Sequence, residues 1–264
     1  MLSGDGTLTA VTRDVSSAIA RCELTHLPRV DIDVARARAQ HQAYLERLSR
    51  LDCRLIELQA EPDLPDSVFV EDTAVVLDEI AVIARPGAAS RRPECLSIAI
   101  VLSDHRPLAT LEKPATLDGG DVLLVGRTMW VGLSGRSNWS AIGQLRTIVG
   151  RYGYEVRPVE LDGCLHLKSA VTLVAPDTVL LNPAWVDAQI FGGLEVVTID
   201  PGEPHAANAL RIGSGLIQAA NFPRTRARLE ARGLTVHPVD VSELQKAEGA
   251  VTCCSLVFRS TAET

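Results

Sequence analysis

Residues 121–131 read DVLLVGRTMWV, two strand-like apolar runs on either side of the dipeptide Gly126-Arg127. A short polar turn between two such runs predicts a β-hairpin. Similar hairpins are predicted for residues 73–83, 170–181 and 209–218, and a fifth would pair residues 254–258 with the N-terminal run 8–12. Because these units recur about every 40–50 residues, the hairpin is the repeating element that decides the fold.

Helix-like segments and one further strand separate the hairpins. Residues 33–51 carry apolar side chains at helical spacing, and Asp33 is the predicted N-cap. Gly233 is the predicted C-cap of another helix. The remaining helices are predicted at residues 138–150 and 223–232, and the strands that follow the helices at residues 55–58, 155–159 and 235–239.

A last unit that borrows the N-terminal strand indicates a closed α/β ring of five hairpin–helix–strand units. Closure removes the exposed sheet edges that an open array would leave. The alternative is an open α/β sheet with hairpin insertions. No linker or low-complexity stretch divides the sequence, so we expect residues 1–264 to form one domain.

The composition is that of an ordinary soluble globular protein, with 264 residues, 46% hydrophobic, 22% charged and a net charge of −7. The negative charge argues against nucleic acid or an anionic membrane as the main partner. The sequence shows neither a secretory signal nor an apolar run of about 20 residues. We therefore expect a cytoplasmic protein whose six cysteines are reduced and match no structural zinc pattern.

Three kinds of residue beside strand-like runs, cysteine, histidine and aspartate, have the chemistry of a nucleophilic site. Cys253 and Cys254 follow a small-residue turn and precede an apolar run, His166 lies in GCLHLKS, and Asp118 lies in TLDGGD. A thiolate, a base and an orienting carboxylate are what a cysteine-dependent enzyme requires. The competing interpretation is a pair of inert core thiols, because free cysteine is among the most buried residue types.

Charged residues near other predicted hairpins suggest an arginine-like substrate. Residues 64–72 read LPDSVFVED, with carboxylates on either side of an apolar core that favours partial burial. Carboxylates in such a cleft need a cation. Arg85 and Arg136 each follow a hairpin and could bind a carboxylate bidentately or point into solvent. Acidic groups for a guanidinium, arginines for a carboxylate and a cysteine between them describe a site for arginine or a relative of it.

Six stretches, in order along the chain, resemble the dimethylarginine dimethylaminohydrolase family, within the guanidino-group-modifying amidinotransferase and deiminase superfamily. Residues 33–36 also match. The resemblance spans nearly the whole chain and implies a five-bladed αβ propeller, the pentein fold, in agreement with the predicted ring. The six stretches are residues 64–72, 85–92, 116–123, 131–138, 166–169 and 249–255.

The resemblance also implies a role for each candidate residue. Cys253 is implied as nucleophile, His166 as general acid and base, and Asp118, where some relatives have glutamate, as the carboxylate that holds the histidine. The implied substrate contacts are Asp72 with Glu71 at the guanidinium, Asp66 and the backbone near Leu24 at the amino-acid end, Arg85 and Arg136 at the carboxylate, and Ala247.

The implied reaction is hydrolysis of asymmetric dimethylarginine or monomethylarginine to citrulline and an alkylamine, through a covalent thiouronium on Cys253. It needs a small-molecule substrate and neither a metal nor an organic cofactor, and the enzyme is expected to be a monomer or a homodimer. One alternative is an arginine deiminase that releases ammonia. Another is a noncatalytic zinc-binding protein that uses Cys253, Cys254 and His166, although adjacent cysteines are poorly placed to ligate one tetrahedral ion.

Overall fold

Fifteen strands form five separate three-stranded sheets in the computed structural model, which describes residues 6–260. The strands are β1 (Thr7–Arg13), β2 (Arg54–Leu58), β3 (Ala74–Val76), β4 (Ala81–Ile83), β5 (Leu108–Thr110), β6 (Val122–Val125), β7 (Thr128–Leu133), β8 (Glu155–Glu160), β9 (Val171–Ala175), β10 (Thr178–Leu181), β11 (Glu195–Thr198), β12 (Ala209–Ile212), β13 (Gly215–Ala219), β14 (Thr235–Val239) and β15 (Leu256–Ser260).

Each sheet has the same construction, an antiparallel hairpin whose second strand pairs with a third, parallel strand. In the first sheet the order is β15-β1-β2, with Thr7 opposite Ser260 and Thr9 opposite Arg54. The N-terminal strand is therefore the centre of a sheet that the C-terminal strand completes. This pairing closes the ring and confirms the predicted five-bladed αβ propeller.

Helices connect the second and third strands of most sheets. They are α1 (Val34–Arg50), α2 (Glu94–Ser103), α3 (Trp139–Gly150) and α5 (Pro223–Glu230), whereas the single-turn helices α4 (Leu167–Ala170) and α6 (Ser242–Gln245) lie between sheets, before β9 and after β14. The side chain of Asp33 accepts a hydrogen bond from the Arg36 amide, so the predicted cap of α1 is confirmed. Helix α5 ends at Glu230, earlier than predicted, and Gly233 adopts its left-handed φ of 79° in the turn beyond.

The fourth blade departs from the regular pattern. Between β10 and β11 the chain forms only the short 3-10 helix Ala188–Phe191 in place of a longer helix. The second blade contains a helix, α2, that the sequence did not predict. Its sequence ECLSIAIVLS is apolar around most of its circumference and therefore lacks the spacing that reveals an amphipathic helix.

The core lies between the sheets and the helices that pack on them, and its largest buried side chains include Tyr44 of α1 and Phe191 of the fourth blade. The first strands of the blades follow short helical turns or loops. Those before β3 and β6 are the 3-10 turns Val70–Thr73 and Gly119–Asp121, and α4 precedes β9. These turns contact one another and bring polar side chains to the centre of the ring. No helix among residues 6–260 is long and apolar enough to cross a membrane.

Candidate active site

One narrow cavity collects side chains from the turns that precede β3, β9 and β15 and from the segments that follow β1, β4 and β7. The space between its walls, including the part open to solvent, is about 330 Å³. Two glycines allow the turns to approach so closely. A Cβ on Gly120 would lie 2.7 Å from His166 Nδ1 and 2.9 Å from Asp72 Oδ1, and one on Gly119 would collide with the Glu71 carbonyl. The lining residues are Glu23, Asp66, Phe69, Asp72, Arg91, Arg136, Leu165, His166, Ala247, Glu248, Gly249 and Cys253.

His166 and Asp118 form a buried pair at this cavity. His166 Nε2 lies 3.1 Å from Asp118 Oδ2, and Asp118 Oδ1 accepts a 2.9 Å hydrogen bond from the Gly87 amide. The second imidazole nitrogen, Nδ1, lies 3.9 Å from Asp72 Oδ1. The imidazole is therefore held between two carboxylates, as the predicted histidine–aspartate partnership requires.

The protonation of His166 follows from these neighbours. Burial favours the neutral imidazole, but the charges of Asp72, Asp121 and Asp118 and the hydrogen bond with Asp118 outweigh burial and raise the pKa of His166 to about 9. The pKa of Asp72 moves in the opposite direction. Burial would raise it, but His166, Arg91 and the Gly120 amide lower the pKa of Asp72 to about 2. At neutral pH this region therefore holds an imidazolium beside carboxylates.

The two adjacent cysteines have different surroundings. Cys253 is partly exposed and lines the cavity, while Cys254 is fully buried among apolar side chains and its thiol lies 3.5 Å from the Ala250 carbonyl oxygen. Burial and the carboxylates of Glu71 and Asp72 raise the pKa of the Cys253 thiol, so these surroundings favour the protonated thiol. Only Cys253 of this pair can meet a molecule in the cavity.

The arginines correct one expectation from the sequence. Arg85 does not line the cavity, and its Nη1 donates to the Ala115 carbonyl oxygen at 3.0 Å. Arg91, six residues later, is the buried cavity arginine. Its Nη1 donates to Asp72 Oδ2 at 2.6 Å and its Nη2 to Glu94 Oε2 at 2.8 Å. Both arginines lie in the matching stretch RPGAASRR, so the stretch was informative, but spacing alone did not show which guanidinium turns inward.

Arg136 reaches the cavity as expected. Its Nη1 lies 3.6 Å from Asp118 Oδ2, and its Nη2 donates to Thr25 Oγ1 at 2.9 Å. This arginine therefore stands between the histidine–aspartate pair and the loop that contains residues 23–27. The position suits a cation that binds an anionic group of a ligand.

Glu71 does not line the cavity with Asp72. One carboxylate oxygen accepts from Lys168 Nζ at 2.6 Å and the other from Thr252 Oγ1 at 2.8 Å, while the Glu71 amide donates to the Cys253 carbonyl oxygen at 3.1 Å. Asn208, just before β12, also bonds to Thr252. Glu71 therefore holds the turn that contains Cys253, which its position beside Asp72 did not reveal.

The expected residues for the amino-acid end are only partly at the cavity. Asp66 and Ala247 line it, whereas Leu24 packs against the core. The neighbour of Leu24, Glu23, does line the cavity, and its amide donates to Asp66 Oδ2 at 3.1 Å. Glu248 was not predicted either. Its carboxylate accepts hydrogen bonds from the amides of residues 25–27 and so joins their loop to the turn that precedes Cys253.

Asp72, Asp118 and His166 also have the separation of a metal site, with one donor atom of each within 4.8 Å of the others. Each carboxylate already has a cationic neighbour, Arg91 for Asp72 and Arg136 for Asp118. The three groups therefore already pair with one another and with two arginines.

Comparison with known proteins identifies close relatives along almost the full chain, although no protein-family model matches. The dimethylarginine dimethylaminohydrolase of Streptomyces coelicolor is 38% identical over 95% of this chain and 96% of its own length. That of Pseudomonas aeruginosa is 34% identical over 86% of this chain and 90% of its own.

Solved structures agree. The Pseudomonas enzyme, as a cysteine-to-serine variant complexed with citrulline, superimposes with a TM-score of 0.91 over 95% of this chain and 98% of its own, at 31% identity. The N-terminal domain of a cyanobacterial arginine dihydrolase has a TM-score of 0.85, covering 95% of this chain and 97% of its own, at 18% identity, a likeness of fold alone. An identity of 38% across nearly the whole of both chains indicates common ancestry, and this chain belongs to the dimethylarginine dimethylaminohydrolase family.

Proposed function

We propose that this protein hydrolyses asymmetric dimethylarginine and monomethylarginine to citrulline and an alkylamine, with Cys253 as the nucleophile. The observation that carries the proposal is the cavity itself. It combines one partly exposed cysteine, a histidine between two carboxylates, and both acidic and basic side chains. A Pseudomonas relative that superimposes on 95% of the chain binds citrulline, the product that this reaction would release.

Opposite charges at the cavity match the two ends of a methylated arginine. The substrate guanidinium would lie against Asp72 near Cys253, and its α-carboxylate would meet Arg136 and Arg91. Arg91 and Asp72 bond to each other in the unliganded protein. A zwitterionic substrate supplies a cation for the aspartate and an anion for the arginine, so it can replace this ion pair without leaving either charge unpaired.

The first half of the reaction begins with a neutral thiol. A bound guanidinium offsets the negative charges of Glu71 and Asp72, which lowers the pKa of Cys253 and allows the thiol to lose its proton to solvent. The thiolate then adds to the guanidinium carbon. The carbon–nitrogen bond to the alkylamine breaks as His166, protonated at neutral pH, gives its proton to the departing nitrogen. A thiouronium on Cys253 and a neutral imidazole remain.

The second half uses the imidazole as a base. His166 takes a proton from water, the oxygen adds to the thiouronium carbon, and the carbon–sulfur bond breaks. The proton of the added hydroxyl passes to the departing sulfur, so citrulline leaves with its new oxygen and the neutral thiol and the imidazolium are restored. Asp118 keeps the ring oriented through both halves because its carboxylate faces Nε2 at 3.1 Å. Covalent catalysis divides one difficult displacement into two easier ones.

A panel of arginine, monomethylarginine and asymmetric dimethylarginine tests the proposal, with products identified by mass spectrometry. We expect citrulline from all methylated forms, with dimethylamine or methylamine as the second product. Release of ammonia from arginine at a higher kcat/KM than either methylated form would favour the deiminase alternative. Absence of any product would contradict the proposal.

We also propose, as the sequence predicts, that residues 1–264 act as one domain in the cytoplasm, as a monomer or a homodimer. The pairing of residues 7–13 with residues 256–260 supports one domain, and six free cysteines support a reducing compartment. Light scattering on the purified protein measures its mass in solution, and two separate unfolding transitions would contradict a single domain.

A further inference from the structure

A second buried carboxylate, Asp121, lies behind the site and does not line the cavity. Its carboxylate accepts three hydrogen bonds. Oδ2 accepts from Ser134 Oγ at 2.5 Å and from Ser137 Oγ at 2.6 Å, and Oδ1 accepts from the Leu167 amide at 3.0 Å. The side chain is fully enclosed, and a Cβ on Gly132 would lie 2.8 Å from its Oδ1. Burying a carboxylate that is bonded only to uncharged donors costs free energy, which points to a function for Asp121 in positioning other residues.

The two serine hydroxyls connect Asp121 to the backbone of the functional residues. Ser137 Oγ accepts from the Asp118 amide at 3.1 Å, and Ser134 Oγ accepts from the Arg136 amide at 3.0 Å. A hydroxyl has one proton to donate, and here both protons go to Asp121. An anionic oxygen therefore fixes the direction of both hydroxyls and makes each a better acceptor for the amide behind it.

The third bond acts on the histidine. The Leu167 amide is the peptide N–H that follows His166 and begins α4. Asp121 thus holds the backbone at His166 directly, at Asp118 through Ser137, and at Arg136 through Ser134. We propose that Asp121 is the positioning residue of this active site, and that it sets the geometry of the histidine–aspartate pair and of the carboxylate-binding arginine together. This inference rests on the proposed hydrolysis for its kinetic part only.

Charge is the second part of this role. His166 is faced by Asp72 from the turn before β3 and by Asp118 and Asp121 from the turn before β6, while Arg91 and Arg136 contact the first two of these carboxylates. Cys164 lies near Asp121 as well. Burial raises the pKa of Asp121 to about 6, so its carboxyl is ionised at the pH where the imidazolium titrates and helps to retain that proton.

Three single substitutions separate these effects. Asp121→Asn removes the charge. The asparagine side chain has no anionic oxygen to accept the hydrogen bonds of the Ser134 and Ser137 hydroxyls. Ser137→Ala keeps the charge but frees the Asp118 amide, and Ser134→Ala frees the Arg136 amide together with the Ser137 amide, whose bond to Ser134 Oγ is longer at 3.3 Å. Ser260→Ala is the matched control, because it removes another buried serine hydroxyl, bonded to Thr9 in the first blade.

We expect kcat to fall about 10- to 150-fold for Asp121→Asn, which is the loss of one charge-assisted hydrogen bond. Ser137→Ala should act mainly on kcat and Ser134→Ala mainly on KM, while Ser260→Ala changes neither more than about twofold. If Asp121 had only a structural role, the variants would contain less folded protein, but the two serine variants would not differ in whether kcat or KM changes. Equal effects of Ser134→Ala and Ser137→Ala on both kcat and KM would overturn the proposal. The two serine variants provide this test even if Asp121→Asn does not fold.

A histidine titration by nitrogen NMR provides a readout that does not depend on turnover. The His166 signal is assigned by its absence in His166→Gly. We expect the pKa of His166 to move to lower pH in Asp121→Asn and to stay close to the wild-type value in Ser137→Ala and Ser260→Ala. An unchanged pKa in Asp121→Asn would overturn the electrostatic part. If the wild-type protein hydrolyses no methylated arginine, the proposed function fails, yet the titration still decides whether Asp121 acts on His166.

Discussion

At the scale of single residues, chemistry at this site depends on small differences in position along the chain. Cys253 and Cys254 are neighbours in sequence, but one lines the cavity and the other is buried in the core. Arg85 and Arg91 occupy one matching stretch, but only Arg91 turns inward. The sequence predicts Cys253, His166 and Asp118 as nucleophile, base and orienting carboxylate, and the structure places Cys253 and His166 at the cavity with Asp118 against the imidazole. The sequence did not show which of the two arginines faces the cavity, or that Asp121 bonds to Ser134 and Ser137, because both depend on which side chains the closed ring encloses.

Arg136 allows the orientation of the substrate to be tested. Arg136→Ala should lower kcat/KM for monomethylarginine about 10- to 150-fold, since it removes a charge-assisted bond to the carboxylate. Methylated agmatine lacks that carboxylate and should lose much less. The measurement is the ratio of kcat/KM between the two substrates. Arg136 also lies near Asp118, so its loss can lower turnover of both substrates, and the ratio removes that shared effect.

Arg85→Ala is the matched control, since the Arg85 guanidinium bonds to a backbone carbonyl outside the cavity. Its substrate ratio should remain that of the wild type. If Arg136→Ala also leaves the ratio unchanged, the arginine does not read the carboxylate and the proposed orientation of the substrate is reversed or displaced.

The raised pKa of His166 predicts a pH dependence of stability. A pKa of about 9 in the folded protein exceeds the ordinary value of 6.5, so the folded state binds this proton more tightly. The stabilisation is fully present below about pH 6.5 and is lost as the pH rises through about 9. The free energy of unfolding of wild type minus that of His166→Gln, from urea titrations between pH 6 and 10, should therefore decrease with pH. A difference that stays constant or increases would show that the imidazole is not held as a cation.

At the scale of elements, strand pairing was well predicted because hairpins are local. Alternating apolar runs and their turns fixed all five hairpins to within a few residues. Helix α2 and strands β5 and β11 were not predicted. The apolar residues of α2 do not mark one face of a helix, and β5 and β11 are only three and four residues long. The short turns before the blades were also missed, although they hold the site, because contacts between distant turns stabilise them.

The turn Gly119–Asp121 gives a prediction for one such element. Gly120→Ala would place a methyl group against His166 Nδ1 and Asp72 Oδ1, so these groups must separate and kcat should fall at least about 10-fold. Gly143 in α3 is the matched control, because nothing lies within 4 Å of an added Cβ. Gly143→Ala should retain activity and raise the free energy of unfolding by up to about 1 kcal/mol. Equal kcat in both variants, measured on folded protein, would show that the close approach at Gly120 is not needed.

At the scale of the whole molecule, the ring is closed by the two ends of the chain. Thr7 and Ser260 are register partners in one sheet, so the described ends of the chain lie side by side. A circular permutant that joins residue 264 to residue 1 by a short linker and opens the β6–β7 turn at Gly126 should keep the same five sheets. We expect kcat/KM within about fivefold of the natural order, since no blade loses a strand and exposed turns tolerate new termini. A permutant that folds but lacks activity would show that the first blade is not closed as described.

The central claim is that Cys253 forms a covalent bond with the guanidinium carbon and that His166 is needed to release it. S-methyl-L-thiocitrulline tests this most directly, because its thiol leaving group needs no proton from a general acid. Intact-protein mass spectrometry and peptide mapping of His166→Gly after mixing should show an amidine adduct on Cys253 and none on Cys254 or Cys164. The wild type should clear the same adduct and release citrulline. An adduct on another cysteine, or none at all with the variant folded, would contradict the account.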